Sequence, residues 1–135
     1  MAADELIVVT TPEPTAITDA YGLIKALCQQ DFTGKIYLVV NRVLSAQEAS
    51  IVFEKLLMAT SKFLNYEIES LGFIVEDSKV GQAIQAQKPF LMTYPQTTAA
   101  NNLYNIAAKI TNQENLMPAS KGIKGFFSKV IGYFR

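Results

Sequence analysis

Three short polar clusters hold side chains suited to engaging a ligand: Thr10-Thr11-Pro12-Glu13, Asn41-Arg42 and Val75-Glu76-Asp77. They bring together carboxylates, a guanidinium and an amide, the last presenting a donor and an acceptor side by side. The rest of the chain narrows the chemistry. It contains no histidine and one cysteine, Cys28, which excludes a histidine-based triad, a zinc site and an intramolecular disulfide, and fits a reducing cytosol. A further cluster is of a different kind. Residues 121–135 carry Lys121, Lys124, Lys129 and Arg135 with no acid, whereas residues 1–120 carry eight Lys/Arg against twelve Asp/Glu, a net charge of −4. The overall charge is zero, so no whole-chain basicity points to nucleic acid.

The elements that must position these clusters follow from hydrophobic spacing. Glu5 to Thr10 (ELIVVT) is a β-branched run stopped by Pro12 and Pro14, which cannot continue a strand. Ile17, Tyr21, Ile24, Leu27 and Cys28 recur at helical spacing up to Gly34, with Pro14 tolerated near the first turn. Lys35 to Asn41 reads as a second strand, Ala46 to Leu64 as a helix and Ile68 to Val75 as a third strand. A short helix over Asp77 to Gln87, with Asp77 or Ser78 as N-cap, and a last core helix over Thr98 to Ile110 complete the pattern. Apolar strands alternating with helices imply βαβ units and a parallel sheet covered on both faces. In such sheets ligands gather beyond the carboxyl ends of the strands, so the three polar clusters are expected to share one edge. At 135 residues the chain is one ordinary domain. With no signal-like N-terminus and no run of roughly 18 apolar residues, it is expected to be neither exported nor transmembrane.

The segments Asp4 to Lys25, Leu38 to Val43 (LVVNRV), Lys62 to Asn65 (KFLN), Leu71 to Phe90 and Tyr94 to Ala100 (YPQTTAA) resemble, in order, the MinD/ParA superfamily, and in particular its FlhG/YlxH branch, which governs flagellar placement. The resemblance covers nearly the whole chain. It implies an α/β fold, half of a doubly wound parallel sheet of the deviant-Walker P-loop NTPase type with a C-terminal amphipathic helix, residues 1–111 forming the nucleotide-binding half. The family's phosphate loop and magnesium-side aspartate have no match here, so the phosphate-cradling amides, the lysines and the metal ligands that phosphoryl transfer requires are missing. The implied cofactor is ATP, with magnesium in the complete protein. The implied partners are a homodimer mate in the ATP-bound state and a flagellar or division regulatory protein, with no nucleic acid.

Carried onto these residues, the resemblance implies that Asn41 reads the adenine edge; a strand-terminal asparagine capping its own turn is the alternative. Arg42, beside it, is placed with the nucleotide site. Val75 stands where the family usually has proline, in a loop whose backbone contacts the base, so a backbone contact survives the change but the loop's rigidity does not. Asp77 is either part of that site or only the N-cap of the next helix. Glu13 matches an acidic position near the dimer interface and the partner's nucleotide, against a plain solvated loop glutamate. Asp19 lies on the helix that MinD-type proteins turn toward partners, against an ordinary solvated charge.

The tail is legible from physics alone. As a helix, Ile123, Phe126, Phe127, Val130, Ile131 and Phe134 form one apolar stripe, with Lys121, Lys124, Ser128, Lys129 and Arg135 on the other side. A large apolar face with a cationic face is the signature of a helix lying in an anionic membrane surface; docking of the stripe on the protein's own core is the alternative. Residues 112–120, polar and broken by Pro118, read as a linker. Each large apolar side chain contributes about 1.5 to 3 kcal/mol before ordering costs and each basic residue about 1 kcal/mol, so a single helix binds marginally and two on a dimer bind far better. The expected location is cytoplasmic, peripheral on the inner face of the membrane. Three hypotheses frame the chain: the base-binding and membrane-targeting half of a cycling ATPase, a non-hydrolysing membrane adaptor that keeps the partner surface, and an unrelated receiver-like or flavodoxin-like domain.

Overall fold

The run ELIVVT forms β1 (Glu5–Thr10), and Pro14 then occupies the first position of α1 (Pro14–Gln29), where its missing N–H costs nothing. A computed structural model describes residues 4–115 of the chain. Beyond α1 it contains β2 (Lys35–Val43), α2 (Ala46–Leu64), β3 (Glu69–Val75), α3 (Ser78–Gln85), α4 (Phe90–Thr93) and α5 (Thr98–Asn115). The chain divides into two compact units at Val75.

The first unit is β1-α1-β2-α2-β3, a three-stranded parallel sheet in the order β1-β2-β3. Val8, Ile36, Leu38 and Val40 alternate along β1 and β2 and join one core with Ala20 and Ile24 of α1 and Val52 and Leu56 of α2. Both helices therefore cover the same sheet face, as two successive crossovers in one direction require. Ile24, Ile36, Leu38 and Leu56 are essentially fully buried, each contributing roughly 1.5 to 3 kcal/mol before entropy is counted. On the other face the middle strand buries Tyr37 and Val39, but the outer strand leaves Ile7 49% and Val9 60% exposed. The expectation of a sheet covered on both faces thus fails at β1: as an edge strand it lacks the second neighbour that shields β2.

Local chemistry sets the element ends. Ser45 caps α2 by accepting from the Glu48 N–H at 3.1 Å, while the Glu48 carboxylate reaches back one residue further and accepts from the Leu44 N–H at 3.0 Å, a variant of the S-x-x-E cap. Asn65 closes the helix in the left-handed conformation, φ 50°. Tyr66 then donates its hydroxyl to the Gly34 carbonyl, tying the end of α2 to the entry of β2. Burial raises the Tyr66 phenol above its ordinary range, and burial followed by Glu5 raises that of Tyr37.

The second unit holds α3, α4 and α5. The helix α4 was not foreseen; Pro89 stands at its N-cap position. Helix α5 runs to Asn115 rather than stopping near Ile110, so the first four residues of the presumed linker are helical. The rest of that linker and the tail stripe lie outside the described residues. No helix among the described residues is long and apolar enough to cross a membrane.

Candidate functional site

Parallel pairing brings the carboxyl ends of β1, β2 and β3 to one edge. Thr10 sits opposite Val40, Asn41 opposite Ile74, and Val43 opposite Val75. Asn41 and Arg42 therefore stand beside Ile74 and Val75 at the usual strand spacing of about 4.8 Å. Glu13 lies three residues past the end of β1 on the same edge.

The register slips between Asn41 and Val43, with Arg42 as the extra residue of β2 between them. Arg42 takes φ 59°, left-handed for a side chain that pays a steric cost there, on the order of 1 to 2 kcal/mol. Its N–H donates to the Asn41 Oδ1 at 2.9 Å. The bulge kinks β2 just before its last pairing, Val43 with Val75, and the Arg42 N–H fixes the Asn41 side chain against the kink. One Asn41 oxygen lone pair and both amide hydrogens are not consumed by that bond. Bulges and left-handed non-glycine residues concentrate where a strand end is re-aimed toward a ligand. Nothing in the apolar run leading to Arg42 signalled this bulge. A second slip, in β3 near Gly72 at φ 140°, did have a signal, since a glycine inside an apolar strand marks such a place.

At the β1 end, Thr10 is buried and donates its hydroxyl to the Thr11 carbonyl at 3.3 Å, while the Thr11 hydroxyl accepts the Glu13 N–H at 3.3 Å. Glu13 holds the N-cap position of α1 in extended conformation, but its carboxylate forms no capping bond, and the side chain is exposed. Val75 is partly buried at the end of β3. Asp19 is exposed on α1, more than a turn from the strand edge, and does not join the other residues.

Asp77 belongs to the second unit. One carboxylate oxygen accepts the Lys79 N–H at 2.9 Å and caps α3; the other meets the Ala99 N–H, near the start of α5, at 3.5 Å. Its carboxylate thus links two helix N-termini within that unit, as an N-cap is expected to do. Lys79 lies over the Tyr94 ring at 5.0 Å, and Tyr94 donates to Gln82 at 3.3 Å, joining α3 to the residue that ends α4.

A parallel α/β sheet with crossover helices and a polar loop cluster beyond its carboxyl edge defines half of a doubly wound nucleotide-binding type of fold. Comparison with known proteins agrees. No family model matches the chain. It is 34% identical over 109 residues to the antiactivator FleN of Pseudomonas aeruginosa, spanning 81% of this chain and 39% of that one. It is 27% identical over 136 aligned residues to the flagellum site-determining protein YlxH of Helicobacter pylori (98% and 46%), and 30% identical over 136 to the septum site-determining protein MinD of Bacillus subtilis (98% and 48%). The solved structure of the septum site-determining protein MinD from Pyrococcus horikoshii, complexed with Mg-ADP, superimposes with a TM-score of 0.63 at 17% identity, over 84% of this chain and 43% of that one. The chain belongs to the MinD/ParA superfamily, within the group that includes FleN, YlxH and MinD. It spans less than half the length of each of these relatives.

Proposed function

We propose that this chain is the base-binding and membrane-targeting portion of a MinD/FlhG-like ATPase that regulates where flagella or division sites are placed. The observation that carries this reading is Asn41, held by a left-handed bulge at the carboxyl end of the middle strand with its amide hydrogens uncommitted to that turn. An amide so held pairs with a base edge that offers one acceptor and one donor, as adenine does. Val75, on the neighbouring strand, lines the same edge, with Arg42 beside the base and Glu13 toward the nucleotide of a second copy. Asp77, whose carboxylate caps α3, is assigned to the nucleotide site by the family resemblance alone.

The residues present fit the base side of ATP. The family's phosphate loop and magnesium-side aspartate have no match in this sequence, so the chain by itself is expected to turn over no ATP. Asp19 on α1 faces solvent and is available to a regulatory protein. The stripe of Ile123, Phe126, Phe127, Val130, Ile131 and Phe134 inserts into an anionic membrane surface, with Lys121, Lys124 and Lys129 at the headgroups, on the cytoplasmic side. Dimerisation strengthens that attachment by making the second insertion intramolecular.

The test is a nitrogen-15 amide NMR titration of the chain with ATP and with GTP. ATP should move the Asn41 side-chain NH₂ signals and the Arg42, Ile74 and Val75 amides, with GTP weaker by about tenfold. Equal responses to both nucleotides, or shifts confined to other loops, would remove the base-binding reading.

A further inference from the structure

Helix α2 carries a second apolar face that its own unit leaves open. Its inner side buries Ala49, Val52, Leu56 and Thr60, yet Ile51 is 52%, Met58 69% and Phe63 68% exposed on the outer side. An open hollow of about 550 Å³ runs along this stripe. Ile51 and Met58, seven residues apart on one line of the helix, and Phe63 at the rim of the same hollow are more than scattered surface hydrophobicity.

The order of residues along the stripe says what fits it. A two-fold axis crossing the helix between Glu54 and Lys55 brings a second, antiparallel copy of α2 into register with the first. Glu54 then faces the other copy's Lys55, and Lys55 its Glu54. Ile51 faces Met58, and Ser50 faces Ala59. Around the axis acid meets base, Ile51 meets Met58 and small meets small, with Gln47 against Lys62 and Phe63 against Ala46 at the two ends, a self-complementary order of the kind an isologous interface demands. Among the described residues neither Glu54 nor Lys55 has an ion-pair partner of its own. The small pair, Ser50 with Ala59, lets the two helices approach to the 8 to 10 Å typical of packed helices. We infer that α2 is a homotypic docking surface, on which a second copy of this chain packs antiparallel about an axis between Glu54 and Lys55. This contact lies on the helix-covered face of the sheet, not at the carboxyl edge, and does not depend on nucleotide. Its area is below the roughly 800 Å² per partner of a standard interface, so the affinity is weak, on the order of 10⁻⁵ to 10⁻⁴ M.

Sedimentation equilibrium of the whole chain in low salt, without nucleotide, tests the inference. The wild-type chain should show a reversible monomer–dimer equilibrium. Glu54→Lys alone and Lys55→Glu alone place like charges opposite each other at both positions of the axis, and each should weaken the dimer on the order of tenfold. Mixing these two variants restores both opposite-charge pairs in the heterodimer, so the mixture should associate as tightly as wild type, as should the double variant. Both positions are exposed, so circular dichroism melts should match wild type and exclude unfolding. A chain monomeric to about 0.5 mM, association unchanged in the single variants, or a mixture no tighter than its components would each overturn the inference.

Discussion

Replacing Asn41 in two ways separates its role in the loop from its role toward a ligand. The Asn41 Oδ1 accepts the Arg42 N–H at 2.9 Å, and this bond helps hold Arg42 at φ 59°. Asn41→Ala removes the acceptor from a partly exposed site, costing about 0.5 to 1.5 kcal/mol. For a domain of this size that lowers Tm by roughly 2 to 9 °C. Asn41→Asp keeps an oxygen at the same place and accepts the same N–H, so its stability should stay within about 0.5 kcal/mol of wild type. An aspartate has no amide hydrogens, however, and cannot present a donor and an acceptor together. Both variants should therefore lose the roughly tenfold preference for ATP over GTP, about 1.4 kcal/mol and within the range of a bidentate base contact. Thermal melts read the first effect and NMR titration the second. An Asn41→Ala variant as stable as wild type would show that the loop bond contributes nothing. An Asn41→Asp variant that still preferred ATP would refute the amide as the base-reading group.

Four other outcomes are expected. Gly34→Ala should destabilise the chain by about 1 to 3 kcal/mol in a urea melt, because a Cβ there would fall against the Asp4 carbonyl and 2.5 Å from the Phe32 ring, and the Asp4 carbonyl already accepts from the Lys35 N–H. Val9→Lys should reduce irregular aggregation seen by light scattering, since a charge on the exposed face of β1 blocks edge pairing, while leaving the α2 dimer intact. Sedimentation with anionic vesicles should be lost for Phe127→Glu and for a chain ending at Ser120, and only weakened for Lys124→Ala; binding that survives truncation would end the membrane reading. The Tyr37 and Tyr66 phenols are raised in the folded chain, so the stability they contribute is present below the ordinary phenol value near pH 10 and falls as pH climbs through the raised values. Melts across alkaline pH should show that decline, and Tyr37→Phe should flatten it.

Much of this fold was legible because each apolar run was long and its period unambiguous. The bounds of β1 and α2 match the expected ones, and those of β3 differ by one residue. The carboxyl-edge grouping of Asn41, Arg42 and Val75 followed from parallel pairing alone. The Arg42 bulge was not legible, since it arises from how β2 registers against β3, a non-local property absent from the LVVNRV run itself. The Ser45–Glu48 cap was written in the sequence as S-x-x-E and went unread. Helix α5 outran its apolar pattern because adding residues to an existing helix is cheap even for polar ones. Asp77 was read as either a cap or a site residue; the structure shows the cap, its carboxylate accepting the Lys79 N–H at 2.9 Å.

The strand order of the first unit bears on how the chain is made. Each strand pairs with the one synthesised just before it, as Thr10 does with Val40 and Asn41 with Ile74, across intervals of about 30 residues. No strand of this unit must wait for a later one to be inserted between it and its neighbour. At translation speeds of roughly 5 to 20 residues per second, the sheet can grow one crossover at a time over some 3 to 13 seconds as the chain leaves the ribosome. During that interval β1 has gained β2 on one side and still offers its other edge, so the nascent chain presents a ready template to any strand synthesised before it.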